Sequence, residues 1–142
     1  LTPADLGDSG SLRPGQLSLV IGSSSEGLSS TVTSGVISAL GRDLVVADPC
    51  AHGARRVLRN VIQTDALVRD GSEGGALVDA VGAVVGVSTS VAGAPDAAGY
   101  AIPINIAKPI MEQAVEGKPL SRPWTSAGGE VASTAVNSSK MR

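Results

Sequence analysis

Apolar positions along the chain come in short runs, most of them bounded by glycine, serine or aspartate. "QLSLVIG" closes on a glycine and predicts a strand over 16–21. "TVTSGVISAL" alternates β-branched with small residues and predicts a longer strand over 31–40, with Gly35 as a bulge. The turn-rich "GRDLVVADPCAHGARR" follows, in which "LVV" has enough β character to pair briefly. "VLRNVIQT" predicts a strand over 57–64. "ALVDAVGAVVGVSTSV" reads as a hairpin, with strands over 76–79 and 83–90 about a turn at Ala80–Gly82. "YAIPI" gives a strand over 99–103, which Pro103 ends.

One segment has the other period. In "NIAKPIMEQAVEG", Ile106, Ile110, Met111 and Val115 stand at helical spacing. They predict a helix over 106–116, with Asn105 as N-cap and Gly117 as the stop. Pro109 counts against that helix unless it falls in the first turn. Six short strands and one late helix point to an antiparallel barrel or sandwich, an all-β fold. Residues 1–14, broken by Pro3, Gly7, Gly10 and Pro14, read as a linker that lies on a surface. Residues 125–142 are Ser, Gly, Ala and Thr without period and read as a disordered tail, while Trp124 is expected to dock against the barrel.

Composition sharpens this picture. With 142 residues, 42% of them hydrophobic, the chain suits one compact domain. It has no Phe, one Trp and one Tyr, so its core must be built from Val, Ile, Leu and Ala. A net charge of −2 supplies no basic footprint for nucleic acid and no polybasic membrane patch. The single cysteine, Cys50, excludes an internal disulfide and a Cys-based zinc site. No apolar run reaches the ~18 residues of a membrane span. No signal peptide is visible, and a start at Leu1 reads as a processed chain or a piece of a longer one.

The chemistry gathers around "RDGSEGGAL", Arg69 to Leu77. Four blocks occur in one order: "LGDSGSLRPGQLSLVIGS", "TVTSGVISALGR", "IQTDALVRDGSEGGALVDAVGAVVGVSTS" and "GYAIPINIAKPI". Together, over roughly Leu6 to Trp124, they resemble the HtrA/DegP family of trypsin-like serine endopeptidases. The resemblance is to the second of that family's two protease barrels. It implies a six-stranded antiparallel barrel followed by a C-terminal helix, over residues 15–124.

Where the family carries "GNSGGPL", this chain carries "GSEGGAL". The resemblance puts Glu73 at the position of the nucleophilic serine. It puts the oxyanion-hole donors at the amides of Gly71 and Glu73, and the rest of the active-site loop at Asp65, Asp70, Ser72, Gly74 and Gly75. The family's proline becomes Ala76. Peptide-binding strands are implied at Val87, Ser88 and Thr89 and at Tyr100, Ala101 and Ile102. Asp65 reads as structural, bonding backbone amides of the turn. Ser72 is one residue off the nucleophile position, so its side chain should point elsewhere. The family draws its catalytic His and Asp from the first barrel. The only histidine here, His52, falls by the resemblance in a loop, and it and Cys50 read as solvated loop residues. Arg42 and Asp43 read as turn charges, and Arg55, Arg56 and Arg59 as a solvated basic face.

A carboxylate cannot replace a serine that a general base activates. The reading that follows is a pseudoprotease with no intact catalytic residue. It keeps the fold and binds an extended peptide or an unfolded protein segment, overlapping with a scaffolding module that takes a strand by β-augmentation. The alternative is a serine endopeptidase active only when a first barrel or partner supplies His and Asp. No cofactor, metal, nucleic acid or membrane insertion is expected. Further expected partners are a first-barrel domain or a second copy of the chain, docked on a partly apolar face. The resemblance suggests the bacterial envelope, periplasmic or extracellular, or an organelle.

Overall fold

A computed structural model describes residues 2–23, 30–47, 55–68, 71–89 and 98–119. Cys50, His52, Asp70, Trp124 and the expected tail lie outside the described residues. Six strands close into one antiparallel barrel: β1 (Leu17–Gly22), β2 (Thr31–Ala47), β3 (Arg55–Thr64), β4 (Ala76–Val78), β5 (Val84–Thr89) and β6 (Gly99–Pro103). The order around the barrel is β1-β2-β3-β6-β5-β4, and β4 returns to β1. Helix α1 follows at once, over Ile104–Val115.

The barrel is filled by small side chains. Val20, Ile37, Ile62, Leu77, Val85 and Ala101 meet inside with Leu12 and Ala66. Without phenylalanine, close packing is reached by bringing backbones together rather than by bulk. A Cβ on Gly86 would stand 3.1 Å from that of Ala101. The buried polar groups are bonded. The Thr64 hydroxyl donates to Val36 O at 2.8 Å and accepts from Ala66 N at 3.1 Å. It has one proton to give, so the Ser18 hydroxyl, 2.9 Å away, must be the donor between the two. These bonds tie β1, β2 and β3 together at the end of the barrel where β3 stops.

Three features differ from the sequence expectation. First, β2 does not end at residue 40. It passes through register shifts between Ile37 and Leu44 and pairs again with β3 from Leu44 to Ala47. Gly41, at φ 66°, and Asn60, at φ 56°, absorb the irregularity. Arg42 and Asp43 are thus strand residues, not turn charges, and Asp43 accepts from Asn60 N and from Arg59, each at 3.0 Å. Second, Gly35 is not a bulge: β1 and β2 pair without a break from Leu17↔Val36 to Gly22↔Thr31. Gly35 is glycine because a Cβ there would run into the Asp65 carboxylate and the Ala66 backbone. Third, the helix begins two residues early, directly on Pro103, and holds Pro109 in its interior. It buries only Ile104, and it leaves Met111 and Val115 exposed rather than on a core-facing stripe.

The N-terminal stretch is fastened to the barrel. Gly7 N donates to Val84 O at 2.9 Å, Val84 N to Asp5 O at 2.8 Å, and Leu12 enters the core. The same stretch caps α1 in place of the expected Asn105. Ser9 Oγ accepts from Asn105 N at 3.2 Å, Asp8 Oδ1 accepts from Asn105 Nδ2 at 2.7 Å, and Lys108 Nζ donates to Gly7 O at 2.6 Å. On the outside of the barrel, cross-strand pairs Leu17↔Val36 and Ile21↔Val32 leave an exposed apolar face on β1 and β2.

The clip makes a pH prediction. The Asn105 amide above all, then the Gly10 N–H and the charge of Lys108, hold the Asp8 carboxyl below its ordinary value of 3.8. A depressed folded value means that this contribution is complete above the ordinary value and is lost as pH falls through the folded one. Carbon-detected NMR titration should therefore find Asp8 below 3.8, and Asn105→Ala should raise it. A value at or above 3.8 that Asn105→Ala leaves unmoved contradicts the clip.

Candidate functional site

The loop that precedes β4 is built from its backbone bonds outward. Gly75 N donates to Ser72 O at 3.1 Å, closing a four-residue turn over Ser72, Glu73, Gly74 and Gly75. Gly74, third in that turn, has φ 78°, as a type II turn requires, and glycine reaches this value without strain. Glu73 therefore sits at the tip, exposed. The turn is fixed from behind by β5. Gly74 N donates to Ser88 O at 2.8 Å and Ser88 N to Gly75 O at 2.8 Å. The Ser88 hydroxyl, 2% exposed, donates to Ser72 O and also lies 3.2 Å from Gly75 O. From β1 the contact is closer still. A Cβ on Gly22 would come within 2.8 Å of the Ser72 Cβ, and a Cβ on Gly75 would strike Ile21 O. The glycines at 22 and 75 are what allow loop and barrel wall to touch.

The carboxylate at the tip turns back on its own loop. Glu73 Oε2 accepts from Gly71 N at 2.7 Å. Gly71 itself has φ 89°, a second left-handed position. Ser72, the one serine in the loop, is 3% exposed and packs toward Gly22, so a reagent in solvent does not reach its hydroxyl. Asp65 is structural, but its partner differs from the one expected. Its Oδ1 accepts from Val36 N on β2 at 2.6 Å, across the barrel wall rather than within the turn.

The strands implied as peptide-binding are less open than the sequence indicates. Val87 is paired with Ala76 on one side and Ile102 on the other. Ser88 is held by the loop and by Ala101, Tyr100 lies between Gln63 and Thr89, and Ala101 lies between Ile62 and Ser88. These positions already have neighbours on both edges, which excludes strand addition there. Thr89, the last residue of β5, is where the strand passes beyond β4. A hollow of about 290 Å³ elsewhere, lined by Ser9, Gly41, Asn60 and Asn105 among others, includes no residue of the 71–75 loop. Among the described residues, no three His, Cys, Asp or Glu side chains gather to hold a metal ion, and no helix is long and apolar enough to cross a membrane.

A closed six-stranded barrel with a glycine-built loop ahead of its fourth strand is a trypsin-type protease barrel. The trypsin-like peptidase domain model matches residues 1–87, and the chain belongs to that family, within its HtrA/DegP group. It is 41% identical over 120 residues to the periplasmic serine endoprotease DegP of Escherichia coli K12, a match over 82% of this chain. The chain spans 23% of DegP's length. Among solved structures it resembles the HtrA-type protease AlgW with tripeptide, at TM-score 0.62 and 37% identity, over 80% of this chain and 36% of that one. It resembles Deg5 at TM-score 0.63 and 36% identity, over 84% of this chain and 52% of that one.

The sequence places Ser88 on a peptide strand and carries no sign of its buried role in fixing the loop. A serine amid "VVGVSTS" is a weak signal, since nothing local says where its hydroxyl goes. Ser88→Ala removes that hydroxyl but leaves Ser72 O and Gly75 O their backbone donors. The expected loss in stability is therefore modest, about 1 kcal/mol, while amide exchange at Gly74 and Gly75 quickens. Unchanged exchange at both would show that the hydroxyl does not fix the loop.

Proposed function

We propose that this chain is a protease-fold domain that binds peptide and does not cleave it. The observation that carries this reading is Glu73. It stands at the tip of the turn where, by the motif, the family's nucleophile stands, and its carboxylate is bonded to the Gly71 amide. Acyl transfer needs an oxygen whose proton a base can take, and donors left open for the charge that develops on the substrate carbonyl. A carboxylate at 73 is negative before the reaction starts, and it engages a donor that the developing oxyanion requires. The only other oxygen nucleophile in the turn, Ser72, is buried. The single histidine of the sequence, His52, lies outside the described residues and is not the residue the motif would pair with position 73.

Peptide binding is supported by the relatives, since AlgW is known in complex with a tripeptide and with a decapeptide. Of the strand positions that the motif implies, Val87, Ser88, Tyr100 and Ala101 are enclosed on both edges, and binding is read at Thr89, the last described residue of β5.

The purified chain is expected to cleave neither casein nor fluorogenic peptides and to take no fluorophosphonate label. Glu73→Ser alone is expected to stay inactive, because among the described residues no histidine stands beside position 73 to take the new hydroxyl's proton. Loss of a triad member leaves only about 10³–10⁴-fold over water. Fluorophosphonate labelling at Ser72, or casein cleavage that co-purifies with the chain, overturns the non-catalytic reading. For binding, an unlabelled casein-derived decapeptide should shift the Thr89 amide in an NMR titration. A spectrum unmoved at Thr89 and at Gly71–Gly75 overturns the binding half.

A further inference from the structure

β6 stops while β3 still has strand to offer. The ladder between them begins at Ile62↔Ala101, and carrying that register two residues further would set Asn60 opposite Pro103. Proline has no N–H to give to a ladder, and at Ile104 the chain has already turned into α1. Among the described residues, 55–61 therefore pair with β2 alone. Their surroundings agree, since Arg55, Val57, Arg59 and Asn60 are all exposed. The pairing of β1 with β2 ends at Leu17↔Val36. Residues 44–47 and 55–58 thus form a two-stranded ribbon with the outer edge of β3 open beside α1.

A strand edge recognises a partner when it has a seat for a side chain and a reason to prefer one sequence. The seat is the hollow of about 290 Å³, which lies along this edge. Leu40, Ile62, Pro103 and Ile106 give it apolar side chains, and Asn60 stands among them at φ 56°, its N–H held by Asp43. The preference comes from charge. Residues 42–59 carry four arginines against two aspartates, on a chain whose net charge is −2. Asp43 is engaged by Arg59 at 3.0 Å, while Arg42 and Arg55 are exposed. An edge that bears cations repels a second such edge and favours an acidic partner.

We propose that the β3 edge beside Pro103 is a second peptide site, which adds an extended acidic segment as a strand and seats one of its aliphatic side chains in the hollow. The site shares no residue with the 71–75 loop and does not rest on the reading of Glu73. Residues 55–61 span about 20 Å at the rise of a strand. A segment of about seven residues therefore reaches from the hollow to Arg55, with its aliphatic residue at one end and carboxylates along the rest.

The test is an NMR titration of the full-length, ¹⁵N-labelled chain at low ionic strength. The probes are the blocked peptide Ac-Leu-Thr-Glu-Thr-Glu-Thr-Glu-NH2 and the same residues in reverse order, one for each strand direction. One of them should shift the Leu58, Asn60 and Ile62 amides with saturation and leave Thr89 and Gly71 to Gly75 in place. Methylating every backbone nitrogen of that peptide removes its main-chain donors and should abolish the shifts. Replacing its leucine by glycine should weaken binding about tenfold, the loss of one buried aliphatic side chain. Arg55→Glu with Arg56→Glu should also weaken it about tenfold, as should added salt. Where that variant displaces the Asn60 and Ile62 amides before any peptide is added, the peptide with glutamine in place of glutamate carries the charge comparison. Shifts that survive methylation, or that the glycine peptide reproduces in full, come from charge alone and overturn the strand site. No response at Leu58, Asn60 and Ile62 from either order overturns it outright. A response confined to Thr89 removes this inference and leaves the proposed function. A response at Leu58, Asn60 and Ile62, with Thr89 unmoved by the casein-derived decapeptide, keeps this site and removes the reading at Thr89.

Discussion

The Ser88 hydroxyl is the point at which barrel and loop become one object. It lies on β5, between β4 and β6, and is buried against the carbonyls of Ser72 and Gly75. A loop of small polar residues at the end of a barrel has no hydrophobic content with which to hold a shape. Here its shape is imposed by backbone pairing to β5, by that one hydroxyl, and by the contact with Gly22. Everything said of Glu73 depends on this. A carboxylate on a slack loop would sample many partners, whereas one on a fixed turn is held near a fixed amide.

The same economy runs through the barrel. A chain without phenylalanine fills its interior with Val, Ile, Leu and Ala, so strands and turns must come close, and glycine is used where a Cβ would collide. Gly35 against Asp65–Ala66 and Gly75 against Ile21 are the clearest cases. Between them, the Thr64 hydroxyl joins β2 and β3 while accepting from Ser18 on β1. Polar bonds in this barrel carry positional information that bulky side chains would otherwise supply, and each is satisfied because an unpaired buried group costs about 1–3 kcal/mol.

Much of this was legible in advance, and the misses have physical causes. Alternation and turn residues located all six strands, because half-buried strands leave a period of two in the sequence. The extension of β2 was hidden by Gly41, Arg42 and Asp43, which read as a turn but form an irregular stretch of strand. Leu12 looked like part of a linker because Gly10 and Pro14 flank it, yet it is buried. The helix cap was misplaced because its donor is met by Ser9, about a hundred residues away in sequence, which no local signal reveals. The position of Glu73 was readable from its motif. Its bond to Gly71 and the inward turn of Ser88 were not, since both depend on how the loop meets β5.

The role of Glu73 turns on one hydrogen bond, and that bond can be observed directly. In a uniformly ¹³C,¹⁵N-labelled sample at neutral pH, a long-range HNCO experiment detects scalar coupling through a hydrogen bond. A cross-peak between the Gly71 amide nitrogen and the Glu73 side-chain carboxylate carbon is the predicted result. Its absence, with the backbone couplings from Gly74 to Ser88 and from Gly75 to Ser72 present in the same spectrum, would contradict the account.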